Sequence, residues 1–421
     1  MNIVVVGLGY VGLPLAVELS HHYSVCGIDT NRSKINLLRQ GVDGNQEVSD
    51  AAISMAKILY WSNYEPVHAA DVVIVAVPTP VDENNKPDFG PLLAASRAIA
   101  PHLKQGAVVC YESTVYPGAT RNICLPALEA SGKKHMVDFF IGYSPERINP
   151  GDKKHGLTNT VKLVAGDTKQ TKVTLASMYG SITKVHVCST IEVAEAAKVL
   201  ENTQRDVNIA LMNEAAMIFN SMGISTQEVL KAASTKWNWV DFKPGLVGGH
   251  CIGVDPYYLI DAAHQVKIEP NVISAARKTN EKLHGYVMQR VYKRMQWDSI
   301  IHGNPTVTVL GVTFKPDCTD IRNSKVFDII INELEWAESV QVFDPIADAE
   351  VVYDEYGVKM TMWDNLEPAD VIFMAVPHAE FRALSHEVLM RLAKPKALFV
   401  ELNPFFDKEK LATVGYDLWS L

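Results

Sequence analysis

The sequence predicts an α/β protein in which two parallel sheets flank a helical middle. Three observations carry this expectation. Residues 1–185 alternate short apolar runs with helical patterns, and residues 191–295 are helical in pattern for most of their length. After Pro305 the strand pattern resumes and echoes the beginning. With about 150 residues to a domain, 421 residues make nearly three units, expected at 1–188, 189–300 and 301–421.

In the first unit, residues 3–6, 25–28, 72–77, 108–111, 139–143 and 161–165 read as strands. Most are nearly uninterrupted apolar runs, as expected where helices cover both faces of a sheet. From Ile191 a helical pattern runs to Met222, with Gly223 as its stop, and Ser189 with Glu192 forms a capping box at its start. Helical character returns over 271–295, after the Gly/Pro-rich stretch 243–256. In the last unit residues 307–311 match 3–7, SVQVFD (339–344) matches SVCGID (24–29), and DVIFMAVP (370–377) matches DVVIVAVP (71–78). The three matches fall in the same order, which predicts a second, smaller nucleotide-binding-type sheet.

Composition narrows the partners. Hydrophobic residues make 48% and charged residues 21%, a globular mix that excludes disordered, collagenous and coiled-coil chains. The net charge of −9, with no basic run, argues against nucleic acid and anionic membrane. No apolar stretch nears the roughly 18 residues of a spanning helix, and the start lacks signal-peptide features. Cys26, Cys110, Cys124, Cys188, Cys251 and Cys318 are scattered, with no CxxC pair and no histidine cluster at ligand spacing. A reduced, cytoplasmic chain without a metal is expected.

Gly7-Leu8-Gly9-Tyr10-Val11-Gly12 follows an apolar strand and opens a helical pattern, and Asp29 ends the next strand, 17 positions after the last glycine. Gly7 permits the tight turn, Gly9 lets the backbone approach a pyrophosphate, and Gly12 lets helix and strand pack closely. The helix N-terminus adds free N–H donors. Asp29 suits the ribose hydroxyls and opposes a 2′-phosphate, so NAD is expected rather than NADP. Arg32 stands on the adenine side or in solvent. Thr79, Ser113 and Thr114 sit at the carboxyl ends of strands, where ligands of open α/β sheets bind.

Gly248-Gly249-His250-Cys251-Ile252-Gly253-Val254-Asp255-Pro256 is the sharpest segment. Two glycines allow close backbone approach, and Asp255-Pro256 opens a helix just after the cysteine, where a thiolate is modestly stabilised. A buried, inert turn cysteine is the plainer reading of the same residues. A nicotinamide cofactor with a nucleophilic thiol suggests two successive oxidations, alcohol to aldehyde to thioester, followed by hydrolysis. Lys198 and Asn202 share a helix face as oxyanion donors or as a solvated stripe, and Glu146 is a base or water-orienting group.

GLGYVG, VPTP, YEST, SPER, AAKVLENT, GGHCIGVDP and FKPDCTDIRNS together resemble the UDP-glucose/GDP-mannose dehydrogenase family over essentially the whole chain. The resemblance implies two Rossmann-like doubly wound domains joined by a long central helix that mediates a homodimer. It implies Cys251 as nucleophile, Lys198 and Asn202 as oxyanion stabilisers, and Asp255 as the partner of Lys198 and the water. Thr114 and Glu146 would position water, Arg147, Lys243, Gly248 and Lys315 would meet substrate, and Arg322 would reach the cofactor phosphates. The C-terminal domain would hold the UDP of the sugar.

The segments from Tyr143 to Asp152 and from Lys243 to Gly253 look most like the branch that oxidises UDP-N-acetylglucosamine or UDP-N-acetylgalactosamine at C6, for surface-polysaccharide, O-antigen or capsule precursors. UDP-glucose and UDP-N-acetylmannosamine are the alternative substrates. UDP-glucose enzymes place an arginine before the cysteine, across the dimer. Residues 231–251 contain none, leaving Lys236 or Lys243 as its substitute, and Glu401-Leu402-Asn403-Pro404 lacks the Gly or Arg the family often places there.

Overall fold

A computed structural model describes residues 1–44, 47–147, 156–297 and 305–421. The chain separates into two compact units, residues 1–202 with 257–269, and residues 203–256 with 270–421.

In the first unit the strands β1 (Asn2–Val6), β2 (Ser24–Ile28), β3 (Ile58–Trp61), β4 (Val72–Val75), β5 (Ala107–Tyr111), β6 (Phe139–Tyr143), β7 (Lys162–Gly166) and β8 (Val185–Val187) form one sheet in the order β3-β2-β1-β4-β5-β6-β7-β8. The pairs from β3 to β6 are parallel. β6 and β7 pair antiparallel, with Tyr143 opposite Ala165, which departs from the expected all-parallel sheet. Strands buried on both faces are equally apolar in either direction, so hydropathy does not encode the reversal. Two strands of the sheet, β3 and β8, escaped the hydropathy reading. β8 is short and mostly exposed, and Leu59 of the edge strand β3 faces solvent. Ile3, Val5, Val72 and Ile74 pack against Leu13, Ala16 and Val17 of the Gly12–Ser20 helix in the core.

In the second unit β9 (Thr306–Leu310), β10 (Ser339–Phe343), β11 (Ala369–Met374), β12 (Ala393–Glu401) and β13 (Asp417–Ser420) form a parallel sheet in the order β10-β9-β11-β12-β13. Leu283, Val287 and Val291 of the Asn271–Trp297 helix share its core with Val307, Val309 and Val342. The echo read in the sequence is a geometric one. Gly7 N–H donates to Ile28 O at 2.8 Å, and Gly311 N–H donates to Phe343 O at 2.8 Å. Leu8 N–H donates to Asp29 Oδ2 at 3.1 Å, and Val312 N–H donates to Asp344 Oδ2 at 2.7 Å. Gly7 and Gly311 both have positive φ, at 92° and 87°, and a Cβ on either would strike a carbonyl of the neighbouring strand end.

The Ile191–Ser221 helix has the expected extent, but its first turn is capped by Thr190, whose Oγ1 accepts the Val193 N–H at 3.2 Å. Ser189 is therefore not the cap, and Glu192 instead pairs with Arg121 at 2.7 Å. One stripe of this helix is buried and polar: Glu195, Lys198, Asn202, Asp206 and Asn213. The same helix also buries Ala194, Val199, Ala210 and Ala216, so these polar groups are withdrawn from water within an otherwise apolar packing face.

Candidate active site

The glycine turn has the shape a dinucleotide needs. A Cβ at Gly12 would stand 1.8 Å from Gly7 O, so that helix and turn meet only through glycine, whereas nothing lies within 4 Å of a Cβ built at Gly9. The backbone at Gly9 is thus open to close approach, and Tyr10 and Val11 lead into the Gly12–Ser20 helix, whose N-terminus has no side-chain cap. Asp29 holds the turn from the other side: its carboxylate accepts from Leu8 N and, at 2.9 Å, from Asn31 N. It also accepts from Lys34 Nζ at 3.0 Å. The carboxylate that the sequence sets against a 2′-phosphate is therefore partly neutralised by a neighbouring lysine. Arg32 is exposed as the first residue of the Arg32–Arg39 helix, beside that pair.

At the neighbouring strand ends the hydroxyls stitch two loops together. Ser113 Oγ donates to Val77 O at 2.6 Å and Thr79 Oγ1 donates to Thr114 O at 2.8 Å. Tyr258 OH donates to Thr79 O at 2.9 Å. Their protons are committed to the scaffold.

Glu146 and Lys198 come together within the first unit, with Nζ 3.9 Å from Oε2 and both side chains largely buried. Asn202, one turn on, is buried on the same face. Arg147 forks onto Glu201, Nη2 to Oε1 at 2.7 Å and Nε to Oε2 at 3.1 Å, and so ties the Ser144–Arg147 loop to the long helix. Glu195, which the sequence reading passed over, accepts from Thr120 N at 2.9 Å and from Gly118 N, and burial raises its pKa against those bonds. No local motif announces it, because its partners stand 75 residues away. Residues 148–152 of the branch-like segment lie outside the described residues.

In the second unit the cysteine loop is cinched against residues 313–324. A Cβ on Gly248 would stand 2.5 Å from Asn323 O, and one on Gly249, whose φ is 78°, would stand 2.7 Å from the Phe314 ring. His250 Nε2 lies 3.2 Å from Asp320 Oδ2. Cys251 O accepts from Val254 N at 3.1 Å and from Asp255 N at 2.8 Å, closing the turn into the Asp255–Gln265 helix, with Asp255 buried. Arg277, also unforeseen, is buried with Nη1 2.6 Å from Asp206 Oδ1 and 3.4 Å from Ile252 O.

Arg322 is drawn onto Asp320 by two bonds of 2.9 and 2.7 Å. Burial pushes the Asp320 carboxyl up, but His250 and Arg322 outweigh it and hold it far below the usual carboxylate range. Lys315 Nζ lies 5.4 Å from the Phe314 ring centroid, and Lys236 and Lys243 are exposed. Asp317, His378 and Glu380 offer oxygen and nitrogen atoms within 4.8 Å of one another. Both His378 nitrogens are committed, however: Nδ1 accepts from Asp317 N at 3.0 Å, and Nε2 is 3.0 Å from Asp344.

Models of three domains of one family match the chain. The NAD binding domain of the UDP-glucose/GDP-mannose dehydrogenase family matches residues 1–183, its central domain 192–282 and its UDP binding domain 308–408. A UDP-N-acetyl-D-glucosamine 6-dehydrogenase of Pseudomonas aeruginosa is 46% identical over 97% of this chain and 98% of its own length. The enzyme of that name from Salmonella typhi is 43% identical over 96% of each. The UDP-D-ManNAc dehydrogenase structure from Pyrococcus horikoshii superposes with a TM-score of 0.88 at 28% identity, covering 100% of this chain and 99% of that one.

Proposed function

The chain belongs to the UDP-glucose/GDP-mannose dehydrogenase family and is an NAD-dependent oxidoreductase; from this we propose that it oxidises C6 of a UDP-N-acetylhexosamine, UDP-N-acetylglucosamine or UDP-N-acetylgalactosamine, to the uronic acid. The observation that carries the substrate class is the near full-length identity to relatives named for UDP-N-acetyl-D-glucosamine. The product would serve surface-polysaccharide, O-antigen or capsule precursor synthesis.

NAD, when bound, supplies a hydride acceptor for each of the two oxidations. Gly7, Gly9, Tyr10, Val11 and Gly12 would cradle its pyrophosphate and Asp29 its ribose, with Arg32, Thr79, Ser113 and Thr114 along its length and Arg322 on its phosphates. The Cys251 thiolate adds to C6 of the aldehyde, and that carbon stays on sulfur through a hemithioacetal and then a thioester. Lys198 and Asn202 hold the oxygen that becomes negative in each stage, as preorganised donors do in a water-poor site. Glu146, Thr114 and Asp255 orient and deprotonate the water that adds to the thioester carbonyl and expels the thiolate with the acid. Arg147, Lys243, Gly248 and Lys315 would contact the UDP-sugar, whose UDP the C-terminal domain of residues 301–421 would hold.

We also read the chain as a homodimer formed through the Ile191–Ser221 helix. Val193, Leu200, Leu211 and Ile218 are about half exposed and recur at spacings of 7, 11 and 7, which puts them on one stripe. Six free cysteines suit a cytoplasmic location.

The test is a panel of UDP-N-acetylglucosamine, UDP-N-acetylgalactosamine, UDP-N-acetylmannosamine and UDP-glucose with NAD. The highest kcat/KM with one of the first two is expected. A clear preference for UDP-glucose or UDP-N-acetylmannosamine would overturn the substrate assignment while leaving the family chemistry intact.

A further inference from the structure

Behind the Glu146–Lys198 pair lies a second ion pair that is more deeply buried. Lys162 Nζ contacts Glu112 Oε2, and the two side chains are 5% and 0% exposed. Tyr179 OH donates to the other Glu112 oxygen at 2.5 Å. Lys162 Nζ also donates to Pro145 O at 2.9 Å, and its ammonium stands 5.2 Å from the Tyr179 ring centroid.

The antiparallel turn of the sheet is what brings this lysine to the site. With Tyr143 opposite Ala165, Lys162 lies three residues further along, beyond the carboxyl end of β6 and level with the Ser144–Arg147 loop. Had β7 run parallel to β6, its first residue would stand near the amino end of β6 instead.

Burying a charged pair is a poor way to gain stability, since apolar groups of similar volume are often as good or better. The bonds here have a different consequence. Pro145 has no N–H, so its carbonyl is the one backbone handle it offers, and Lys162 takes it. Ser144 is fixed on the near side, N–H to Tyr111 O at 2.9 Å and Oγ to Leu163 O at 2.7 Å. Glu146 N–H points to Glu112 O at 3.4 Å. Every residue of Ser144-Pro145-Glu146 is thereby tied to β5, β7 or Glu112. Burial raises the Glu112 carboxyl pKa, and the positive charges of Lys162 and Lys198 oppose that rise, so the two ion pairs share one field.

We propose that Glu112, Lys162 and Tyr179 are positioning residues that set the Glu146 carboxylate against Lys198, and so govern the rate of the chemical steps rather than ligand binding. This rests on the roles proposed above for Glu146 and Lys198.

The test replaces the pair together, Glu112→Gln with Lys162→Met, so that no charge is left buried alone. A fall in kcat of about 10- to 100-fold is expected, the size a displaced catalytic group produces. The KM for UDP-sugar and the calorimetric Kd for NAD should stay within about twofold. In a Glu146→Gln background the same replacement should add little, because its effect passes through Glu146. An unchanged kcat, a loss that multiplies with that of Glu146→Gln, or a parallel weakening of NAD binding would overturn the proposal. If Glu146→Gln alone leaves kcat untouched, the role of Glu146 falls and the proposal with it. Should the double variant fail to fold, Tyr179→Phe, which removes one bond to Glu112 and little volume, is held to the same outcomes with a kcat loss of roughly 3- to 10-fold.

Discussion

Lys198 Nζ stands 3.9 Å from Glu146 Oε2, with both side chains largely withdrawn from water. The two opposite charges attract one another across a site that is poor in water. Lys198→Ala should slow both oxidations, with kcat down by about 100- to 1,000-fold and NAD affinity unchanged. Rapid-mixing traces of each hydride transfer would check this, and a loss confined to the second transfer would show that Lys198 serves only the thioester stage.

Cofactor choice is more finely balanced than a lone carboxylate implies. Lys34 neutralises part of Asp29, and Arg32 is exposed nearby. NAD should still be preferred, since the ribose contact proposed for Asp29 sets a carboxylate against a 2′-phosphate. Asp29→Asn should leave Lys34 without its anionic partner and raise affinity for a 2′-phosphate by about tenfold or more. Fluorescence titration with NADPH measures it, and an unchanged affinity would show that neither cation reaches the 2′ position.

Much of the proposed site is legible in the sequence because its parts are local. The glycine turn, the Asp29 strand end and the Gly248–Asp255 loop each lie within one short segment, where backbone geometry dictates residue type. The supporting groups were hidden because their partners are remote: Arg277 meets Asp206 across 71 positions and Lys162 meets Glu112 across 50. The three strand echoes were readable since apolar runs ending in Gly, Asp or Pro encode a turn as well as a strand. The reversal at β7 was not, because an apolar strand reads alike in both directions.

Acid should weaken the second unit through Asp344. Burial raises this carboxyl, but His378 and the N–H groups of Val312 and Ile346 outweigh it and leave its pKa lowered. A depressed folded pKa means stability that is complete above the unfolded value of about 4 and lost as pH falls below it. Asp344→Asn should cost about 1–3 kcal/mol at pH 7 and flatten the decline of Tm between roughly pH 5 and 3. Calorimetric scans across that range decide it, and parallel curves for the two proteins would count against the assignment.

If the Ile191–Ser221 helix forms the dimer seam, Leu200→Glu with Leu211→Glu places like charges on both copies of the stripe. Light scattering at about 10 μM should then report a monomer where the parent is a dimer. A parent that is already monomeric would refute the seam.

The central claim is that one thiol, Cys251, carries C6 from aldehyde to acid. Single-turnover NADH formation by Cys251→Ala with its UDP-sugar tests this most directly. The parent should yield two NADH per sugar. The variant should bind NAD and UDP-sugar normally and stop at about one hydride per site, with the aldehyde retained or hydrated. Two NADH per sugar from Cys251→Ala, with acid formed at near the parental rate, would make Cys251 a structural thiol and contradict the mechanism.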